Sequence, residues 1–289
     1  MPPPGEQFTA GALRSQSSSG SDLLYISDPG TNAVYVYSYP GGTLVQTLSG
    51  FDTPLRECSD SAGNVFITNT NSEQIVEYAH GGDAPIATLP DPKELPVDCA
   101  VDPRTNDLAV TNYGQKGSYN GSLSLYSKSK GKAKKLHAPG VLAYLFCVYD
   151  DRGNLYATGL DYKYNLVFIE LPKGKKAFVK IALKKAISGW GAVQWDGKYV
   201  TIGDGAATVY RFAIKNQTAK LVDTIGLKGA LNVVGYLLDG NRLIGPDGPN
   251  GGGHDVGIWR YPAGGGVVSK IKGAFTNPSG VALSPGASR

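Results

Sequence analysis

The chain is poor in the residues that most often do chemistry alone: three histidines, three cysteines and one methionine in 289 residues. It has no HExxH, no GxSxG and no paired CxxC, which removes support for a histidine zinc site or a serine nucleophile on an elbow turn. The three cysteines make no disulfide framework of the kind small secreted domains use. Cys99 and Cys147 share a context (CAVD, CVYD) and Cys58 sits one residue out of step. All three are expected as small buried core residues, with a Cys58–Cys99 bridge and a reactive thiol as alternatives. No apolar run approaches the roughly 18 residues of a membrane span. A formal charge of +4 is too mild for a nucleic-acid partner. The glycines at 251–253 are followed by no helix and form no phosphate cradle, and neither a nucleotide nor a haem cofactor is expected.

What is abundant points to short strands and tight turns: 39 glycines, 18 prolines and 17 tyrosines spread along the chain, which suits one large all-β domain. Residues 23–54 hold three strand-like runs, and that plan repeats. Six runs end in a small or hydroxyl residue before a polar turn: LLYISD, NVFITN, DLAVTN, NLYATG, KYVTIGD and NRLIGPD. Ser27 to Thr68 is 41 residues and Thr68 to Thr111 is 43, the length of a four-stranded propeller blade. A hairpin turn precedes each later run (DSAGN, DPRTND, DDRGN, WDGK, LDGN) and an apolar or alternating run follows. The first unit lacks its own first strand, and residues 279–284 supply one from the far end. The expected fold is therefore a six-bladed β-propeller with four-stranded antiparallel blades over residues 23–289, closed by the C-terminal strand joining the N-terminal blade; a β-sandwich with a ragged tail is the alternative. Residues 1–22, rich in Pro and Ser, are expected to be a flexible tail. They lack a signal peptide's apolar region. A Met on a trimmed exported protein would look the same, and so would a native cytosolic start; the reading leans towards a secreted or periplasmic monomer.

The first-to-second-strand pattern, seen in PSGVALS and CVYDDRGNLYATG, resembles that of NHL-type six-bladed propellers, a broad group with relatives resembling gluconolactonases, paraoxonases and diisopropyl fluorophosphatase. The resemblance covers about residues 23–286 and lies in strand and turn grammar. Trp195–Asp196 stands in a first hairpin, away from the third-strand end where WD repeats carry that pair. Metal-dependent hydrolases of this group hold Ca²⁺ in the channel with Glu, Asn and Asp from different blades, so the resemblance implies a metal-assisted hydrolase.

In such a ring, the turns from second to third strand share a face with the connections between blades. Asp28, Asn69, Asn112, Asp204 and Asp247 stand at that corner, with Gly159 and Asp161 in the remaining blade; Arg56, Glu57, Asp98, Asn232 and Asn277 stand where blades begin. Converging oxygens suit Ca²⁺, giving Glu57, Asn69, Asn112 and Asp204 as candidate ligands and Asp28, Asp98 or Asp247 as a candidate base. Arg56, Tyr113, Tyr144, Tyr162, Trp190 and His254 would line a substrate pocket, with Tyr119 and Tyr164 nearby. His254–Asp255 reads as exposed loop more readily than as a base and its orienter. The lysines at 128, 130, 132, 134, 135, 173, 175 and 176 read as a solvated surface on the opposite face. Two functions compete: a Ca²⁺-assisted hydrolase of lactone, ester or phosphotriester bonds, and a non-catalytic propeller binding a glycan, peptide or protein through its rim loops. Lyase action on a cyclic ester is a third.

Overall fold

In blades 2 to 5 the first and second strands are joined by a turn whose Asp side chain holds its own backbone. In the turn after the first strand of blade 2, Asp60 Oδ1 accepts N–H bonds from Ala62 (2.9 Å) and Asn64 (2.8 Å), and Gly63 takes φ +86°, which glycine adopts without strain. Asp150 holds Arg152 (2.9 Å) and Asn154 (2.8 Å) in the same way in blade 4. In the computed structural model, which describes residues 20–248 and 254–286, the strands these turns join form six antiparallel sheets in a ring.

Blade 1 consists of Gly280–Ser284, Leu23–Asp28, Ala33–Ser38 and Leu44–Leu48, so the last strand of the chain is its innermost one. Blade 2 is Pro54–Ser59, Val65–Asn69, Gln74–Tyr78 and Pro85–Pro90; blade 3 is Glu94–Val101, Leu108–Gln115, Ser122–Tyr126 and Lys134–Leu136. Blade 4 is Ala143–Tyr149, Leu155–Leu160, Leu166–Leu171 and Val179–Lys180; blade 5 is Val193–Trp195, Val200–Gly203, Thr208–Lys215 and Thr218–Lys228. Blade 6 is Leu237–Asp239, Arg242–Asp247, Asp255–Arg260 and Ser269–Lys272. The closing strand pairs in register with the second, Leu23 opposite Ser284 through to Ser27 opposite Gly280. Joining the termini inside one sheet leaves the ring no open seam.

The second strands are apolar on both faces because each sheet is covered on both sides by its neighbours: every residue of Leu23–Asp28, Val65–Asn69 and Leu155–Leu160 is buried. Phe66, Phe168, Phe212 and Trp259 fill the space between blades. Each such side chain contributes about 1.5–3 kcal/mol through burial.

Four features depart from the sequence expectation. Blade 5 exceeds four strands: Ala182–Leu183 and Gly265–Gly266 run parallel to its outer strand, and cover that edge. Cys58 and Cys99 form a disulfide between the first strands of blades 2 and 3, so two of the three cysteines are not free core residues; Cys147 is a buried thiol. Lys135 is not simply solvated: its Nζ donates to Glu94 Oε1 at 2.9 Å. The second strand of blade 3 runs past Asn112 to Gln115, shortening the loop expected over 112–121. Of the expected tail, residues 1–19 lie outside the described residues, while Asp22 Oδ1 accepts the Gly286 N–H at 2.9 Å.

Candidate functional site

The polar corner at the end of each second strand stitches the ring. Asp28 Oδ2 accepts the Thr276 N–H (2.7 Å), and its Oδ1 accepts those of Asn277 (2.9 Å) and Gly30 (2.9 Å). Asp247 Oδ1 takes Leu231 (3.0 Å) and Asn232 (2.7 Å) identically in blade 6, and Asn69 Oδ1 takes Asp52 (2.7 Å) in blade 2. Each thus clamps the backbone of the connection leading into its own blade. Asp204 Oδ1 accepts Ala206 (2.9 Å) and Thr208 (3.1 Å) within its own turn. Asn112 turns into a buried network instead, donating Nδ2 to Asp91 (3.1 Å), Ser122 (3.0 Å) and Ser124 (3.0 Å). Of the four expected calcium ligands, Asn69, Asn112 and Asp204 are therefore each engaged within their own blades while Glu57 lies in the channel, and among the described residues no cluster of three His, Cys, Asp or Glu side chains is placed to hold a metal. Asp28 and Asp247, two of the three expected bases, are occupied by backbone amides.

The channel gathers the rest. Arg56 reaches from blade 2 across the axis: its Nη1 donates to Ser279 O at 2.6 Å, its guanidinium lies 4.7 Å from the centroid of the Phe146 ring, and a Cβ added to Gly235 would sit 2.0 Å from Nη1. Contacts with blades 1, 4 and 6 put a fixed positive charge where a channel cation would sit. Below it lies a cavity of about 270 Å³ lined by all six first strands or the residues beside them. Its wall runs from Arg56, Glu57 and Asp98 to the half-buried Ser59, Val101, Tyr149 and Leu283 at the strands' other ends.

Glu57 Oε1 accepts the Ser27 N–H at 3.0 Å, and its Oε2 is buried without a protein partner. Burial raises this carboxyl to about 8, against the pull of the Ser27 bonds and of Arg56. Asp98 Oδ2 accepts the Cys147 N–H at 3.0 Å; burial raises it to about 7, opposed by Arg56. Desolvation lowers the Arg56 guanidinium in turn. Near neutral pH Glu57 is thus largely protonated and Asp98 partly so, beside a cation.

The expected aromatic wall divides. Tyr144 is fully buried, its hydroxyl accepting the Ala138 N–H, and burial pushes it up to about 12; it packs inside the protein and does not face a ligand. Tyr113 is half-buried, edge-on to Tyr119 at 6.3 Å. Tyr162 (67 % exposed), Tyr164 (64 %), Tyr119 (63 %) and Trp190 (47 %) stand outward on the rim of blades 3 to 5. Tyr162 and Tyr164 flank one turn in which Asp161 Oδ1 accepts the Lys163 (2.8 Å) and Asn165 (2.9 Å) N–H groups. Tyr162 borders a groove of about 530 Å³ with Asn120 and His137; Tyr164 borders another of about 410 Å³ with Lys185 and Trp190. His254 is exposed, and Asp255 bonds Lys270 (2.8 Å). The neighbouring glycines 251–253 lie outside the described residues.

No protein-family model matches the chain, and no curated protein does. Among solved structures, one described as a nidogen/laminin complex superposes with a TM-score of 0.73 at 13 % identity, over 91 % of this chain and 98 % of that one. The chain is a β-propeller. A protein of unknown function from Bacteroides caccae gives 0.67 at 11 % identity, over 92 % and 99 %. At these identities the likeness gives the propeller's fold and leaves its ligand to the residues of the site.

Proposed function

We propose that this propeller is a binding module that takes a glycan chain across the rim arc of blades 3 to 5. The observation carrying this reading is the ridge at 161–165, which turns Tyr162 and Tyr164 outward into two adjoining grooves. Exposed rings offer flat apolar faces to the C–H faces of sugars, and their hydroxyls offer hydrogen bonds at the edge. Tyr164 sits at φ +60°, a left-handed conformation that glycine would occupy at lower cost, which supports a use for its ring. Long-range order comes from the scaffold, and binding residues on rim loops are the usual division of labour.

The strand-and-turn grammar is that of NHL-like propellers, and we assign the chain to that type. The Cys58–Cys99 disulfide supports an oxidising compartment, hence a secreted or periplasmic protein. The residues present do not fit a channel Ca²⁺ held by the expected set: Asn69, Asn112 and Asp204 are bonded elsewhere, and Glu57, which does line the channel, sits beside the Arg56 cation. No hydrolytic step is therefore derived through a metal.

The test is titration of soluble neutral and acidic polysaccharides by calorimetry against the wild type and the triple variant Tyr162→Ala, Tyr164→Ala, Trp190→Ala. At least a tenfold loss of affinity with an unchanged melting temperature is expected, since the three side chains are exposed. Binding that survives the triple substitution, or capture of proteins but of no glycan, refutes the assignment.

A further inference from the structure

The channel is a second site, independent of the rim. We propose that the cavity beneath Arg56 binds a small organic carboxylate, held by the guanidinium and by the carboxyl of Glu57.

Three observations converge. First, among the described residues the guanidinium's one acceptor is Ser279 O, which leaves most of its five donors for the cavity that Arg56 lines. Second, Glu57 is 5 % exposed and its Oε2 has no partner among the described residues, an arrangement that costs free energy unless something in the cavity completes it. Third, a volume of about 270 Å³ far exceeds the 10–15 Å³ or so that one water needs, so the space accommodates an organic molecule. Below the charged end Val148, Ala192, Leu237 and Val281 form apolar parts of a wall shared with Ser59, Gln194 and Tyr149, which suits the carbon skeleton of a small polar acid.

The chemistry selects an anion. A carboxylate bound here takes N–H bonds from Arg56 and an O–H bond from protonated Glu57, a charge-assisted pairing. Asp98, on the adjacent strand, is raised to about 7, so it is mostly neutral at pH 6 and adds little repulsion there. Other titratable groups around the cavity stay uncharged: burial pushes the Cys147 thiol and the Tyr149 and Tyr236 phenols up. From blade 1, Ser27 and Gly280 bring no charge; a Cβ at Gly280 would lie 2.5 Å from Glu57 Oε2, so glycine there keeps the acid in place. When Glu57 and Asp98 lose their protons, the site changes from net positive to net negative and the anion is expelled.

Benzoate, with acetate as a smaller probe, is titrated into the full chain at pH 6 and pH 9 by calorimetry and by ligand-observed NMR. Saturable binding at pH 6, at least tenfold weaker at pH 9, is expected. Arg56→Gln should abolish it. Because Arg56→Gln can also fail to fold, Glu57→Gln gives the second reading: its amide donates at every pH, so the fall between pH 6 and pH 9 should shrink. Absence of binding by both probes at pH 6, binding unchanged in folded Arg56→Gln, or a Glu57→Gln profile matching the wild type overturns the proposal. Rim variants should leave it intact, which separates its failure from that of the glycan reading.

Discussion

Replacing Glu57 by glutamine should change how stability depends on pH, with a sign opposite to that of an ordinary carboxylate. In the unfolded chain the group titrates near its usual 4.5, whereas in the folded protein it titrates at about 8. Between those values the folded state holds a proton that the unfolded state has released. Its contribution is fully present below pH 4.5 and is lost as pH rises through about 8. Each pH unit in that window removes about 1.4 kcal/mol, so about 3 kcal/mol disappears between pH 5 and pH 7 through this group. Asp98 acts in the same direction between its usual 3.8 and about 7, and because both face Arg56 the pair titrates jointly. Glutamine carries no proton in either state and keeps an oxygen for the Ser27 N–H. Urea unfolding followed by tryptophan fluorescence at pH 5, 6, 7 and 8 measures the effect. The wild type should lose stability faster with rising pH than Glu57→Gln, by about the single-group slope. Parallel lines for the two proteins, or a wild type that gains stability from pH 5 to pH 7, would refute the reasoning.

Cys58→Ser should lower stability by about 4 kcal/mol on the chain-entropy account of a cross-link spanning 41 residues, seen as a reduced urea midpoint that dithiothreitol reproduces in the wild type. Gly235→Ala should cost about 2 kcal/mol or more, because the new methyl would lie 2.0 Å from Arg56 Nη1; thermal unfolding reads it, and pairing it with Arg56→Ala should recover part of the loss. Tyr164→Gly should raise stability by about 0.5–1 kcal/mol through relief of its positive φ while weakening glycan binding, a split visible in parallel melting and binding curves.

The ring was legible because its signals are local. Asp60, Gly63 and Asn64 announce a turn within five residues, and the repeat of such turns fixes the blade count. The closing strand was legible because an unpaired run at one end answered a missing one at the other. The roles of the polar residues were not, because they depend on partners far along the chain. Asp28 meets Thr276 and Asn277 through a ring closure that no window of sequence contains. An Asp after a strand looks alike whether it binds a metal or a backbone amide. Arg56 over Phe146 crosses the channel between blades 2 and 4, and nothing near either residue signals it. Tyr144 differs from Tyr162 in burial alone, which is set by the packing of blade 4. The disulfide had a usable signal: 41 residues is also the repeat length, so Cys58 and Cys99 fall on neighbouring inner strands.

Blade 1 is complete only once Gly280–Ser284 has been made, although its other three strands, Leu23–Asp28, Ala33–Ser38 and Leu44–Leu48, are made five blades earlier. At about 5–20 residues per second, Leu23–Asp28 waits tens of seconds with one edge unpaired. During that interval the edge is open to any extended segment, including the same segment of another nascent chain. A chain cut short before Gly280 therefore has its other five blades but an open ring, and the edge it displays exposes it to aggregation or proteolysis.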